Sequence, residues 1–72
     1  MPSVAAAVRA QKADFQRYVA GLVAELGGPD GLGAQLSILA EGAQTTAAIA
    51  GSARAADDAR AAAEVLIDQA LR

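Results

Sequence analysis

The stretch LGGPDGLGAQL, residues 26–36, decides how this chain folds. Its residues 27–29, GGP, interrupt any regular element, and proline suits the start of a new helix. A second interruption, the pair GS, stands at residues 51–52. Between these interruptions no segment shows the strict alternation of polar and apolar residues that a half-buried strand requires. The sequence therefore divides into three segments, at about 4–26, 30–50 and 53–71.

Each of the three segments is predicted to be a helix. The chain holds 21 alanines among 72 residues, alanine is the best helix former, and β-branched residues are few. The segments have similar lengths and are joined by short turns, which suits antiparallel packing. We therefore expect an all-α fold, with a single helical domain over residues 1–72.

The first helix is predicted to begin after Ser3, a good N-cap residue, and to end at Gly27. Its large apolar residues fall within an arc of roughly 140° of the helix surface. One such stripe is enough to pack against one neighbouring layer. These residues are Val4, Val8, Phe15, Tyr18, Val19, Leu22, Val23 and Leu26.

The second helix is predicted to begin near Pro29 and to carry two adjacent apolar stripes. Together the stripes cover about half of its circumference, so we expect neighbours on two sides. The polar residues Ser37, Glu41 and Gln44 are predicted to lie on the opposite arc. The first stripe is Leu32, Leu36, Leu39, Ala43, Ala47 and Ala50, and the second is Ile38, Gly42 and Ile49.

The third helix is predicted to be capped by Ser52. The first half of its apolar arc contains only alanine, so we expect a close helix crossing within residues 56–63. Two pairs spaced i,i+4, Arg54/Asp58 and Arg60/Glu64, are expected on its outer face. The apolar arc is Ala55, Ala56, Ala59, Ala62, Ala63, Leu66, Ile67 and Ala70.

The composition provides few large apolar side chains for a hydrophobic core. A chain of this size buries only about 60% of its unfolded surface, and alanine methyl groups supply much of that burial here. A single copy is therefore expected to be marginally stable. We expect a homodimer, in which a second copy completes a four-helix or larger bundle.

The residue types needed for most catalysis are missing. The sequence has no Cys and no His, which removes thiol nucleophiles and histidine acid–base chemistry. The adjacent carboxylates Asp57 and Asp58 do not face each other on a helix, and Thr45 and Thr46 have no neighbouring base. The glycine-rich turn lacks the lysine and the preceding strand of a phosphate-binding loop. We therefore predict that the protein is not an enzyme and has no catalytic residues, metal site or cofactor.

Charge and hydropathy limit the classes of partner that this chain is expected to bind. The net charge is −2 and the six basic residues are scattered, which is atypical of a nucleic-acid-binding surface. No apolar run approaches the roughly 20 residues that span a bilayer, and the first residues do not resemble a secretory signal. We expect no direct binding to nucleic acid or membrane, and a cytoplasmic location.

The second and third segments show a more specific pattern. A helix of the form LA.QL..L.eGA is represented by Leu32, Gln35, Leu36, Leu39 and the run EGA at 41–43. A last helix of the form aa..Ar.aAe.Li is represented by AR at 59–60 and AEVLI at 63–67. With the preceding turn, these motifs resemble the C-terminal end of TetR-family transcription regulators. The usual alanine of the first motif is replaced by Gly33.

The resemblance implies a dimerisation and ligand-binding segment without the family's helix-turn-helix domain. This chain would then be a fragment, a truncated product or a stand-alone module that pairs with itself or with a full-length TetR-like relative. A small apolar ligand is a further implied partner. The dimer interface would comprise Leu32, Leu36, Leu39, Gly42, Ala43, Ala47, Ala56, Ala59, Ala63, Leu66 and Ile67, and the pocket wall Phe15, Tyr18, Val19 and Leu22.

Another class of protein fits the composition as well. Ala- and Gly-rich helical hairpins also occur in small interaction partners of the WXG and PE kind, although this chain lacks Trp.

Gly42 is predicted to stand in the middle of the second helix, where glycine lowers stability by roughly 0.5–1 kcal/mol relative to alanine. We expect it to form a notch that a second helix crosses, from the same chain or from a partner.

Overall fold

The computed structural model describes residues 3–72 and contains three α-helices joined by short turns. Helix α1 spans Val4–Glu25, α2 spans Asp30–Ala50 and α3 spans Arg54–Ala70. The described part of the chain contains no strand. The all-α class and the three predicted helices are confirmed, with ends that differ from the prediction by at most one residue.

The ends of α1 follow the predicted capping. The Ser3 hydroxyl oxygen accepts a hydrogen bond of 3.1 Å from the backbone N–H of Ala6. At the other end Gly27 adopts a left-handed conformation with φ 74°, which glycine takes without a steric penalty. The N–H of Gly28 then donates to the carbonyl oxygen of Val23 at 2.9 Å. This pairing is a Schellman motif and it directs the chain back toward α1.

Helix α2 begins at the predicted residue 30, and α3 begins one residue after the predicted residue 53. Pro29 is the N-cap of α2 with extended backbone angles, so that Asp30 is the first helical residue. The N-cap position of α3 is Ala53, but the Ser52 hydroxyl oxygen still accepts from the N–H of Arg54 at 3.1 Å. A serine oxygen can satisfy a free N–H of the first turn from the preceding position as well.

The three helices form one layer. Helix α2 lies between α1 and α3 and packs against both. The molecule measures 44 × 30 × 12 Å, and its shortest dimension is about that of a single helix with its side chains. No second layer covers either face in this single chain.

A single layer cannot enclose a core. The radius of gyration is 13.7 Å, against about 11 Å for a compact domain of this length. The accessible surface is 5405 Å², against about 4,100 Å² for a compact monomer of this mass. Among the large apolar residues of the described chain only Val23 and Leu32 are buried.

Small residues allow α1 and α2 to approach closely. Ser37 is completely buried, and its hydroxyl donates a 2.9 Å hydrogen bond to the carbonyl oxygen of Gly33 one turn earlier. A Cβ atom placed on Gly33 would lie 3.0 Å from the Cα of Ala20 on α1. The backbone of α1 therefore fills the space that a side chain at this position would need.

The expectation that Ser37 lies on a solvent-facing polar arc is therefore wrong. Its hydroxyl finds an acceptor within its own helix, so it can be buried without losing a hydrogen bond. Helix α1 packs against this arc, and the second apolar stripe is left in solvent. Ile38 and Ile49 of that stripe are 65% and 83% exposed.

The expectation of a notch at Gly42 is also wrong as far as this chain's own helices are concerned. A Cβ on Gly42 would meet no atom within 4 Å, and the residue is exposed. The close crossing occurs instead at Gly33, the glycine that replaces the usual alanine of the TetR-like motif.

Substitution of these two glycines should have opposite effects. Gly42→Ala should raise the free energy of unfolding by about 0.5–1 kcal/mol, because it gains helix propensity in open space. Gly33→Leu should lower it by about 1–3 kcal/mol, because the side chain would collide with the backbone of α1. Urea denaturation followed by circular dichroism measures both, with Gly42→Leu as the size control. A stable Gly33→Leu variant would contradict the close packing of α1 on α2.

Candidate interaction surface

An apolar groove opens on one face of the layer, where all three helices come together. The C-terminal half of α1, the start of α2 and the end of α3 enclose a volume of about 190 Å³. No charged side chain lines it. The lining residues are Val19, Leu22, Val23, Leu26, Gly28, Leu32, Leu36, Ile67 and Leu71.

The rim of this groove is exposed to solvent. Leu26 is 68% exposed, and Leu22 and Leu71 are each 43% exposed. The Schellman turn places Leu26 at the end of α1, and the antiparallel return of α3 places Leu71 across from it. Large apolar side chains that converge in this way are unusual on a surface without a partner.

A second depression continues along α1 and α2 on the same side. It has a volume of about 320 Å³ and is lined by Val8, Phe15 and Ala40 together with four polar residues. One carboxylate oxygen of Glu41 is buried there without a hydrogen-bond partner among the described residues. The four polar residues are Gln11, Lys12, Glu41 and Gln44.

We call this side of the layer the apolar face. Val8, Phe15 and Leu22 follow one another at intervals of seven residues along α1, so they project from the same side of the helix. None of the three is buried by α2. The apolar face is defined by Val8, Phe15, Leu22, Leu26, Leu36, Ile67 and Leu71.

The opposite side has a different character, and we call it the small-residue face. Between α1 and α2 it carries Ala13, Arg17 and Asp30, and Arg17 is ion-paired with Asp14. Between α2 and α3 it carries the exposed Gly42 and Asp58. Charged groups are therefore spread along this side, with Ile38 as an isolated large apolar residue.

The predicted dimer-interface residues are divided among three environments. Leu32 is buried within the chain. The exposed members are Gly42, Ala56 and Ile67. The half-buried members are Leu36, Leu39, Ala43, Ala47, Ala59, Ala63 and Leu66.

The predicted pocket wall is also divided. Val19 and Leu22 line the apolar groove, Phe15 lines the neighbouring depression, and Tyr18 is 66% exposed. Leu71, which the end of α3 brings to the groove, was not among the predicted site residues. The seven-residue interval of Val8, Phe15 and Leu22 was the available signal for the face itself.

Three of the six basic side chains form ion pairs with carboxylates. Arg60 and Glu64 form the predicted pair at 3.1 Å, whereas the predicted pair Arg54/Asp58 does not form. Arg72 pairs with Asp68 at 2.7 Å. All of these side chains are largely exposed, so the pairs contribute little stability.

Residues 3–72 contain no group of three or more potential metal ligands. None of the three helices is long and apolar enough to cross a membrane. No family model, curated protein or solved structure matches the chain.

Adjacent residues of α2 should respond differently to a charge. Leu39 is half-buried and lies in a depression beside Asp58, so Leu39→Asp should lower the free energy of unfolding by more than about 2 kcal/mol. Ile38→Asp, at a 65% exposed position, should change it little. Thermal melts at a fixed protein concentration compare the two. Equal destabilisation would contradict the orientation of α2.

Proposed function

We propose that this protein is a non-catalytic association module that works as a homodimer. The apolar face of one copy covers the apolar face of another. The observation that carries the proposal is the open groove, whose leucine rim is exposed although no charged group lines it. Helical layers with one apolar side are stable when a second layer covers that side.

The amount of excess surface supports a dimer. The accessible surface of 5405 Å² exceeds that of a compact monomer by about 1,300 Å². A standard interface removes about 800 Å² from each partner. One face of this layer can therefore supply a stable interface and still leave surface exposed.

The distribution of charge favours the apolar face over the small-residue face. On the small-residue face Arg17, Asp30 and Asp58 would lose water on contact with a second copy. On the apolar face the charged groups Lys12 and Glu41 lie in the neighbouring depression, and the groove itself has no charged group to desolvate. Its rim leucines would gain the most from burial, at about 25 cal/mol for each Å² of apolar surface.

The proposal retains the resemblance to the C-terminal segment of TetR-like regulators. Such a segment associates through helices of two chains, and pairing with a full-length relative would give a mixed dimer with one DNA-reading domain. The motif of α2, with Leu36, Leu39 and Glu41, supports this part of the proposal. The contact surface proposed here differs from the one that the resemblance implies. Leu36 and Ile67 line the groove, whereas Leu39, Gly42 and Ala59 line a depression of the small-residue face.

Mass measurement tests the proposed homodimer. Multi-angle light scattering at micromolar concentration should give about 14 kDa, twice the chain mass of 7.1 kDa. Leu26→Lys should shift the mass to that of a monomer, because it places a charge in the interface. Ile38→Lys is the matched control, since the two wild-type residues are 68% and 65% exposed, and it should remain dimeric.

Circular dichroism of Leu26→Lys should show that the helices are retained. A wild-type mass near 7 kDa at high micromolar concentration would overturn the homodimer. A dimer that is disrupted by Ile38→Lys but not by Leu26→Lys would place the interface on the small-residue face. That result would overturn the choice of face.

The protein alone should not bind DNA. Three of its basic side chains, Arg17, Arg60 and Arg72, are already paired with carboxylates, and the net charge is −2. Mobility-shift assays on random duplex at low salt should show no complex below about 10 µM. A salt-sensitive shift in this range would contradict the assignment of the chain as a protein-association module.

A further inference from the structure

We infer that two copies dock about a two-fold axis that passes over Val19 and Leu36, parallel to the layer and at right angles to α1. In this arrangement Phe15 of each copy enters the apolar groove of the other. The inference rests on the proposed homodimer and specifies how its two copies meet. The groove is then incomplete in one chain, because its occupant is an aromatic side chain of the second copy.

A two-fold interface requires both complementary features on one surface. The same patch of each subunit contacts the other, so a protruding group and its receptor must share a face. Phe15 and the groove satisfy this condition. Phe15 is 42% exposed and lines the depression that adjoins the groove on the apolar face.

The position of the axis follows from the helix spacing. Residues of α1 that are related by a perpendicular two-fold axis are equally distant from it in sequence. An axis beside Val19 places the partner's Phe15 opposite Val23, about 12 Å along the helix from Phe15 itself. Val23 lies in the wall of the groove, which Val19 of α1 and Leu36 of α2 also line.

This axis produces a four-helix bundle. It crosses α1 and α2 at right angles, so a half-turn places α1 of one copy antiparallel over α1 of the other, and α2 over α2. The two α1–α2 pairs become two stacked layers, which is the arrangement that buries one apolar side of each. Helix α3 flanks the bundle and closes the end of the groove with Ile67 and Leu71.

The charges at the end of α1 complement this arrangement. The axis places the partner's Lys12 opposite Leu26, at the C-terminal end of α1. The last turn of α1 contains no basic residue of its own, and Glu25 stands there. A cation at this position is favoured by the helix dipole and by the carboxylate.

A symmetric disulfide tests the axis directly. The sequence contains no cysteine, so a single introduced thiol can pair only with its copy. Val19→Cys should form a disulfide-linked dimer under mild oxidation, because residues beside a two-fold axis lie within disulfide reach. Ala24→Cys, on the same helix but in a depression of the small-residue face, is the control and should remain largely unlinked.

The results separate this inference from the proposed function. A wild-type dimer whose Val19→Cys variant fails to link, or whose Ala24→Cys variant links faster, overturns the axis but leaves the homodimer standing. A monomeric wild-type protein overturns both. Faster linking at the less exposed Val19 than at Ala24 supports the axis, since random collision would favour the more exposed thiol.

A second pair of variants tests the occupant of the groove. Phe15→Ala should raise the dimer dissociation constant by at least about tenfold, as expected for an aromatic anchor in a partner's pocket. Val4→Ala is the control, because the axis places this 82% exposed residue beyond the end of the partner's α1. Its dissociation constant should change by less than about threefold. Equal effects from the two variants would overturn the assignment of Phe15.

Discussion

The close approach of α1 and α2 at Gly33 and Ser37 governs the rest of this structure. Gly33 has no side chain, and Ser37 turns its hydroxyl back to the carbonyl oxygen of Gly33. Together they present a smooth surface that the backbone of α1 can reach at Ala20. Helix α3 packs on the other side of α2, so the three helices form a flat layer instead of a closed bundle.

The flat layer explains why the largest side chains are exposed. When α1 packs through its small residues, its stripe of Val8, Phe15 and Leu22 points out of the layer. The Schellman turn at Gly27 and the return of α3 then bring Leu26 and Leu71 to the same side. Burial within the chain is low because the apolar side chains are adjacent to one another on one face, where none of the three helices can cover them.

The helices themselves were predictable, because their signals are local. Breaks at Gly27 and Gly51 end helices in left-handed turns, Ser3 caps the first helix, and alanine favours helix between these points. The orientation of α2 was not predictable in the same way. Its polar arc contains Ser37, and hydropathy alone treats a serine as solvent-facing, although a serine that bonds within its helix can be buried against a glycine-lined crossing.

The amino-acid sequence by itself determined three helices, their limits to within one residue, and a shortage of large side chains that a single copy could bury. Tertiary structure decided which arc of α2 meets α1, because that choice depends on the fit between Gly33 and the backbone at Ala20 and not on the hydropathy of either helix. It also decided which apolar residues remain uncovered. Helix propensity and capping act between near neighbours in sequence, whereas the closeness of two helices depends on side-chain volumes that only meet when the chain has folded.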